Sequence, residues 1–249
     1  MSQFDFAIFG LVLVIPGIIL FIVGFFWFKQ KRLMENTPTS NIRSIAMGLV
    51  EIFGEAVPSK DILKSPFSRR DCVYYRYTIE EYRSSGKHSQ WVTIKHDELR
   101  PCFYLRDDTG AVLVNPEGAK IDIPMDNEFH SSVGKDPPDA VKQFLEGCNI
   151  GFEGLIFGIN KTMRFKEYFI APGDKLYIMG TATDNPFVED ATAEKGVEDV
   201  MIHKGEQEKF YYISDKTERD ILKGYSMKTI GGVGIGSILI VAGLILLFW

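Results

Sequence analysis

Residues 7–28 read AIFGLVLVIPGIILFIVGFFWF, and residues 230–249 read IGGVGIGSILIVAGLILLFW; neither run holds an Asp, Glu, Lys or Arg. A helix rises about 1.5 Å per residue, so some 20 apolar residues match the hydrocarbon thickness of a bilayer. Both runs therefore read as membrane spans. The first is not a secretory leader, which would carry a basic start and a shorter apolar stretch. Here residues 1–6 hold no basic residue, and Lys29, Lys31 and Arg32 follow the run.

Between the spans the composition changes completely. All 28 basic residues and every acidic residue but Asp5 lie in residues 29–229. The chain thus reads as a short tail (1–6), a first span (7–28), a middle domain (29–229) and a second span (230–249). With 45% hydrophobic and 24% charged residues it is apolar enough to bury a core. Basic residues set membrane orientation. Lys29, Lys31, Arg32 and Arg43 follow the first span, Lys216, Arg219, Lys223 and Lys228 precede the second, and the outer flanks have none. The expectation is a two-span integral membrane protein with a cytoplasmic domain and both termini outside.

Glycines mark the spans further. Gly10, Gly17 and Gly24 recur every seven residues; Gly232, Gly236 and Gly243 form a second stripe. Small residues on one helix face allow close backbone approach in lipid. Two outcomes follow: the spans pack on each other, or the stripes drive homo-oligomers.

The middle domain is mostly strand-like. Val73, Tyr75, Tyr77 and Ile79 alternate with Tyr74, Arg76, Thr78 and Glu80, the period of a half-buried strand. Residues 91–95 pair with it through a turn at 84–87. Residues 102–106 and 111–115 flank a DDTG hairpin turn. Pro172-Gly173 makes a type II turn before a strand at 175–179. Residues 197–203 and 209–213 suggest another hairpin around Lys204-Gly205, with 184–196 an exposed acidic loop. Two helices are predicted: 137–146, with Val141, Phe144 and Leu145 on one face, and one opening at Ser214 or Asp215, where an Asp215 cap would pair with Glu218. This second helix runs toward the second span, with Gly231-Gly232 as a weak joint. The fold class is α+β: a β-rich soluble domain flanked by two transmembrane helices.

Chemistry is read mainly by exclusion. Cys72, Cys102 and Cys148 are odd in number and far apart, so no disulfide framework is implied. His88, His96, His130 and His203 lack the spacing of a metal site. No nucleophile elbow, phosphate loop or helical zinc motif occurs, so no catalytic residue, metal or cofactor is assigned. The acidic balance argues against a nucleic-acid partner. What remains is binding. The aromatic strand offers Tyr74, Arg76, Glu80 and Tyr82, with Trp91 on its neighbour, as a surface for a protein partner, while the spans bind membrane lipids.

The order of segments carries a resemblance. Residues 48–56 (GLVEIFGEA), 63–66 (LKSP) and 72–76 (CVYYR) are followed by Trp91, 102–110 (CFYLRDDTG), 112–119 (VLVNPEGA), 170–180 (IAPGDKLYIMG) and 211–215 (YYISD). In this order they resemble the GIDE, or beside-a-membrane (BAM), domain of MULAN-like membrane E3 ubiquitin ligases. The resemblance implies a partner-binding domain between two spans. Those ligases append a zinc-binding RING that recruits the charged carrier enzyme. With 3 Cys and 4 His, this sequence has too few ligands, too widely spaced, for one. A chain of this kind is expected from a prokaryote, an archaeon above all. The resemblance implies an adaptor at the cytoplasmic membrane face. The alternative is a component of a ubiquitin-like conjugation pathway, its RING absent or supplied in trans, with Cys72 or Cys148 as acceptor thiol.

Overall fold

The computed structural model describes residues 3–60, 62–86, 88–151, 160–187, 197–206 and 209–248. In chain order, α1 (Gln3–Asn36) precedes a 3₁₀ turn at Ile42–Ser44 and strand β1 (Gly48–Pro58). The short β2 (Leu63–Lys64) and β3 (Asp71–Cys72) come next, then the long β4 (Tyr74–Ser85) and β5 (His88–Leu99). β6 (Phe103–Arg106), β7 (Ala111–Val114), β8 (Lys120–Asp122) and β9 (Asn127–Ser131) lead to α2 (Asp139–Gly147). β10 (Met163–Ile170), β11 (Lys175–Asp184), β12 (Val197–His203) and β13 (Tyr212–Ser214) complete the strands. The chain ends in α3 (Glu218–Thr229), a π-helical stretch at Ile230–Ile235, and α4 (Gly236–Phe248). It divides into two compact units: Met1–Thr39 with Lys216–Trp249, and Ser40–Asp215.

In the β-rich unit, β1 pairs antiparallel with β11 along Gly48–Glu55, then with β6 along Glu55–Pro58. β6 pairs with β7, β7 runs parallel to β12, and β12 returns to β11. Five strands therefore close on themselves, with the Greek-key connectivity of an OB-type barrel. β1 can change partners because residue 54 is glycine: a Cβ there would lie 2.5 Å from the Arg106 carbonyl oxygen. The core takes alternate residues of each strand, among them Ile52, Phe103, Leu105, Val112, Ile178 and Ile202. Each large apolar side chain so buried contributes about 1.5–3 kcal/mol.

One strand pairing differs from the sequence reading. Residues 197–203 and 212–214 do not form a hairpin. β11 is ten residues long, and its one side is shared end to end: β12 takes Thr181–Asp184 and β13 takes Tyr177–Met179, continuing in parallel to β8. A Lys-Gly step between apolar runs cannot distinguish a hairpin from two strands laid along a third. The acidic loop expected at 184–196 lies, from residue 188 on, outside the described residues. The turn at Pro172-Gly173 is present, Gly173 at φ 91° supplying the left-handed backbone.

A second, antiparallel sheet runs β5–β4–β10–β9. β4 and β5 pair over nearly their whole length, from Ser85 opposite His88 to Tyr75 opposite Leu99. α2 covers one face of this sheet, burying Val141 and Leu145 against Tyr77, Ile79, Met163 and Phe165. Phe67 sits at the centre, its ring edge-on to Tyr77, Phe129, Phe144 and Phe165 at 5.3–6.4 Å.

Asp107 ties the approach to β1 onto the β6–β7 turn. Its carboxylate accepts from Ile42 N at 2.9 Å, Thr109 N at 2.7 Å, Thr109 Oγ1 at 2.6 Å and Gly110 N at 3.0 Å. Partial burial alone would raise its pKa, but these donors outweigh that and hold it below the usual carboxylate value. A depressed pKa stabilises above the unfolded value, near 3.9, and the gain is lost as pH falls through the folded one. Asp107→Asn is therefore expected to melt lower than wild type at neutral pH. The gap should narrow as pH falls below the unfolded value and close only below the depressed folded one, as read by paired thermal melts. A gap independent of pH would contradict this.

The helical unit is described by itself. Ala7–Asn36 and Glu218–Phe248 are both long and apolar enough to cross a membrane. Residue 249 of the expected second span lies outside the described residues. α3 is capped by Thr217 rather than Asp215: the Asp220 amide donates to Thr217 Oγ1 at 3.3 Å, and that hydroxyl donates to Asp220 Oδ2 at 2.7 Å. Asp215/Glu218 and Thr217/Asp220 share the same i, i+3 pattern two residues apart, so sequence could not separate them. The joint expected at Gly231-Gly232 is a widening of the helix, the π-helical stretch Ile230–Ile235, rather than a break.

Candidate interaction face

Alternation along β4 sends Tyr77 and Ile79 under α2 and leaves Arg76, Thr78, Glu80 and Tyr82 on the opposite face. β5 carries one extra residue between its pairings to Ile79 and Glu80. This bulge puts Ile94 against the α2-side core while keeping Trp91 opposite Tyr82. β10 adds Arg164, Lys166 and Tyr168, opposite Glu80, Thr78 and Arg76.

Four of the five partner-site residues expected from sequence thus share one open face. Its centre is ionic. Arg164 Nε donates to Glu80 Oε2, and Lys166 Nζ reaches the same oxygen at 3.0 Å. Partial burial of Glu80 would raise its pKa, but the two cations hold it below the ordinary glutamate value. The Arg164 guanidinium also lies 4.2 Å from the Trp91 ring centroid, a cation–π stack. Trp91 in turn meets Tyr82, centroids 5.2 Å apart. At the other end Arg76 stacks over Tyr168 at 4.4 Å. Tyr82 is 44% exposed, so a large ring stands open beside fixed charges. Such an arrangement can bind a protein surface: aromatic and arginine anchors are held by neighbours before a partner arrives.

Tyr74, the fifth residue, belongs elsewhere. It is fully buried in the barrel core, and its hydroxyl donates to Glu98 Oε2 at 3.0 Å. β4 begins at the barrel, so its first aromatic fills the barrel rather than the open face.

Sequence reasoning missed Glu167. It is fully buried, and its carboxylate accepts from Phe67 N at 2.7 Å, Ser68 N at 3.2 Å and Asn127 Nδ2 at 3.2 Å. A signal was available: Met163, Phe165, Glu167 and Phe169 occupy the inward positions of β10. A carboxylate in an inward series must find donors.

Among the cysteines, Cys72 is buried, and Cys102 and Cys148 are half-buried. Burial, reinforced by Glu167 and Asp71, pushes the Cys72 thiol up to about 12, so it stays protonated and is a poor acceptor thiol. Among the described residues no three His, Cys, Asp or Glu side chains gather around a potential metal position.

In the helical unit the six glycines of the two stripes face one another within one chain. A Cβ on Gly10 would lie 2.7 Å from the Gly243 carbonyl oxygen, one on Gly17 3.0 Å from that of Gly236, and one on Gly24 2.5 Å from Val233 N. The helices touch backbone to backbone along the whole stripe.

A search of the curated proteins and a search of the solved structures each gave no match. A family model, by contrast, covers well over half the sequence. It is GIDE, described as E3 ubiquitin ligase, and it matches residues 74–247, spanning the open sheet face, the closing barrel strands and the second apolar helix; the chain belongs to the GIDE family, whose function is related to E3 ubiquitin ligases.

Proposed function

We propose that the protein is a membrane-anchored adaptor. Its open sheet face binds a protein partner at the cytoplasmic surface, and the partner belongs to a ubiquitin-like conjugation system. The observation that carries the reading is the face built by Arg76, Glu80, Tyr82 and Trp91 with Arg164. It combines an exposed Tyr82 against a half-buried Trp91 with preorganised charge, while family membership supplies the conjugation context. The cytoplasmic orientation rests on the basic residues that border both apolar helices on the domain side.

The test is crosslinking of the intact tagged chain in its native membrane, followed by co-purification. A ubiquitin-like modifier, its activating enzyme or a charged carrier enzyme is the expected catch. Tyr82→Ala and Arg76→Glu should each cut its recovery about tenfold, a hot-spot-sized effect. Thermal melting is the folding control: Tyr82 is 44% exposed and Arg76 is half-buried, stacked on Tyr168, so neither change removes a fully buried side chain. Glu80 is unsuited to this test, since replacing it strands Arg164 and Lys166. Undiminished recovery from both variants, or capture only of the chain itself, would refute the reading.

A further inference from the structure

β6 and β7 turn Phe103, Leu105, Val112 and Val114 into the barrel. The residues between them therefore point outward, and Tyr104 and Leu113 lie opposite each other on the outer face. Leu113 is nevertheless only 6% exposed. The connection after β1, with Ser59, Lys60 and Leu63, the Pro101-Cys102 step before β6, and Phe187 after β11 border it and line an open cavity of about 500 Å³. This size suits a small ligand, and its location, between strands two and three of the barrel and the flanking loops, is where barrels of this connectivity take theirs.

The walls define the ligand class. Leu63, Pro101, Tyr104, Leu113 and Phe187 make them largely apolar, and Phe187 is 73% exposed, an aromatic ring left uncovered at the rim. Lys60 is the one charged residue among the described lining residues. The Ser59 hydroxyl is engaged, donating to the Cys102 carbonyl oxygen at 2.7 Å. β6 is bonded on both sides, to β1 and β7, and β7 to β6 and β12, so no strand edge opens into the cavity. A peptide backbone would find few partners there, and each unpaired amide would cost free energy. A ligand with a long apolar body and a single anionic head meets no such cost.

We propose that this cavity binds a long-chain carboxylate, its alkyl chain against Leu113 and Tyr104 and its head group at Lys60. Apolar helices long enough to span a bilayer would keep the domain where such amphiphiles concentrate. The site is independent of the open sheet face and of the proposed partner.

The test uses the full chain in lipid nanodiscs with a diazirine-bearing long-chain fatty acid. Its photo-adducts should map to Ser59, Lys60, Leu63, residues 101–104 and Phe187, and excess unlabelled fatty acid should suppress them. The same fatty acid should slow maleimide labelling of Cys102 but not of Cys148. Lys60→Glu, a change at an exposed position, should lower adduct yield about tenfold for the acid and leave its methyl ester unaffected. Leu113→Trp, which fills the cavity, should abolish labelling by both. Adducts confined to the two apolar helices, or equal yields in wild type and both variants, would overturn the proposal. So would acid and methyl ester responding alike to Lys60→Glu.

Discussion

Gly24→Leu is expected to drive the two apolar helices apart. Even the first carbon of a new side chain would sit 2.5 Å from Val233 N and 2.7 Å from the Gly232 carbonyl carbon, both backbone atoms that no rotamer can move. The helices must separate or the π-helical stretch must rewind. Overpacking of this kind costs about 1–3 kcal/mol, and in lipid no hydrophobic force holds the pair together once close packing is lost. Gly231→Leu and Gly234→Leu are the controls: both glycines lie in the same stretch, and nothing lies within 4 Å of a Cβ built on either. Spin labels on Ile8 and Ile245, both outward-facing, would read the difference. The Gly24 variant should lengthen or broaden the distance distribution by about 2 Å or more beyond ordinary helix-packing separations, whereas the controls should match wild type. Equal behaviour of all three variants would mean that the contact contributes nothing to the pairing.

The glycine positions show which features were legible in one dimension. Spacing alone placed Gly10, Gly17 and Gly24 on one face, because period seven nearly equals two helical turns; it could not tell a partner helix in the same chain from one in another. β4 was equally readable. Its alternation put Arg76 and Glu80 on one face, and the turn at 84–87 laid the strand carrying Trp91 beside it, but the register that sets Trp91 opposite Tyr82 depends on the bulge at Ile94 and was not legible. Alternation could not show where that strand leaves one layer for another, so Tyr74 was grouped with the face although it fills the barrel. Closure of the barrel was illegible for a different reason. It depends on β7 and β12 meeting in parallel across more than 80 residues, and on β1 switching partners at Gly54. Neither leaves a local pattern. The cavity over Leu113 follows from that closure, and so it too was out of reach.

The second large effect concerns Glu167. Glu167→Ala is expected to lower the stability of the β-rich unit by about 3 kcal/mol or more. The fully buried carboxylate satisfies the backbone N–H groups of Phe67 and Ser68 and the Asn127 amide. Each donor left unpaired there costs about 1–3 kcal/mol, and bonds to a charged acceptor lie at the upper end. The loss would spread beyond the hydrogen bonds. The turn held by Glu167 seats Phe67 among Tyr77, Phe129, Phe144 and Phe165, so a displaced turn also opens the core beneath α2. Glu167→Gln separates the two contributions. It keeps the volume and one acceptor oxygen but turns an amide donor toward donors, so it should fall between wild type and alanine. Phe67→Ala should cost about as much as Glu167→Ala, near 3–5 kcal/mol. The double variant should cost clearly less than the sum, because both changes act on the same turn. Thermal melts of the four proteins close the cycle. Strict additivity would show that Glu167 stabilises the sheet without positioning Phe67. A wild-type melt for Glu167→Ala would show that the buried carboxylate is not what holds the turn.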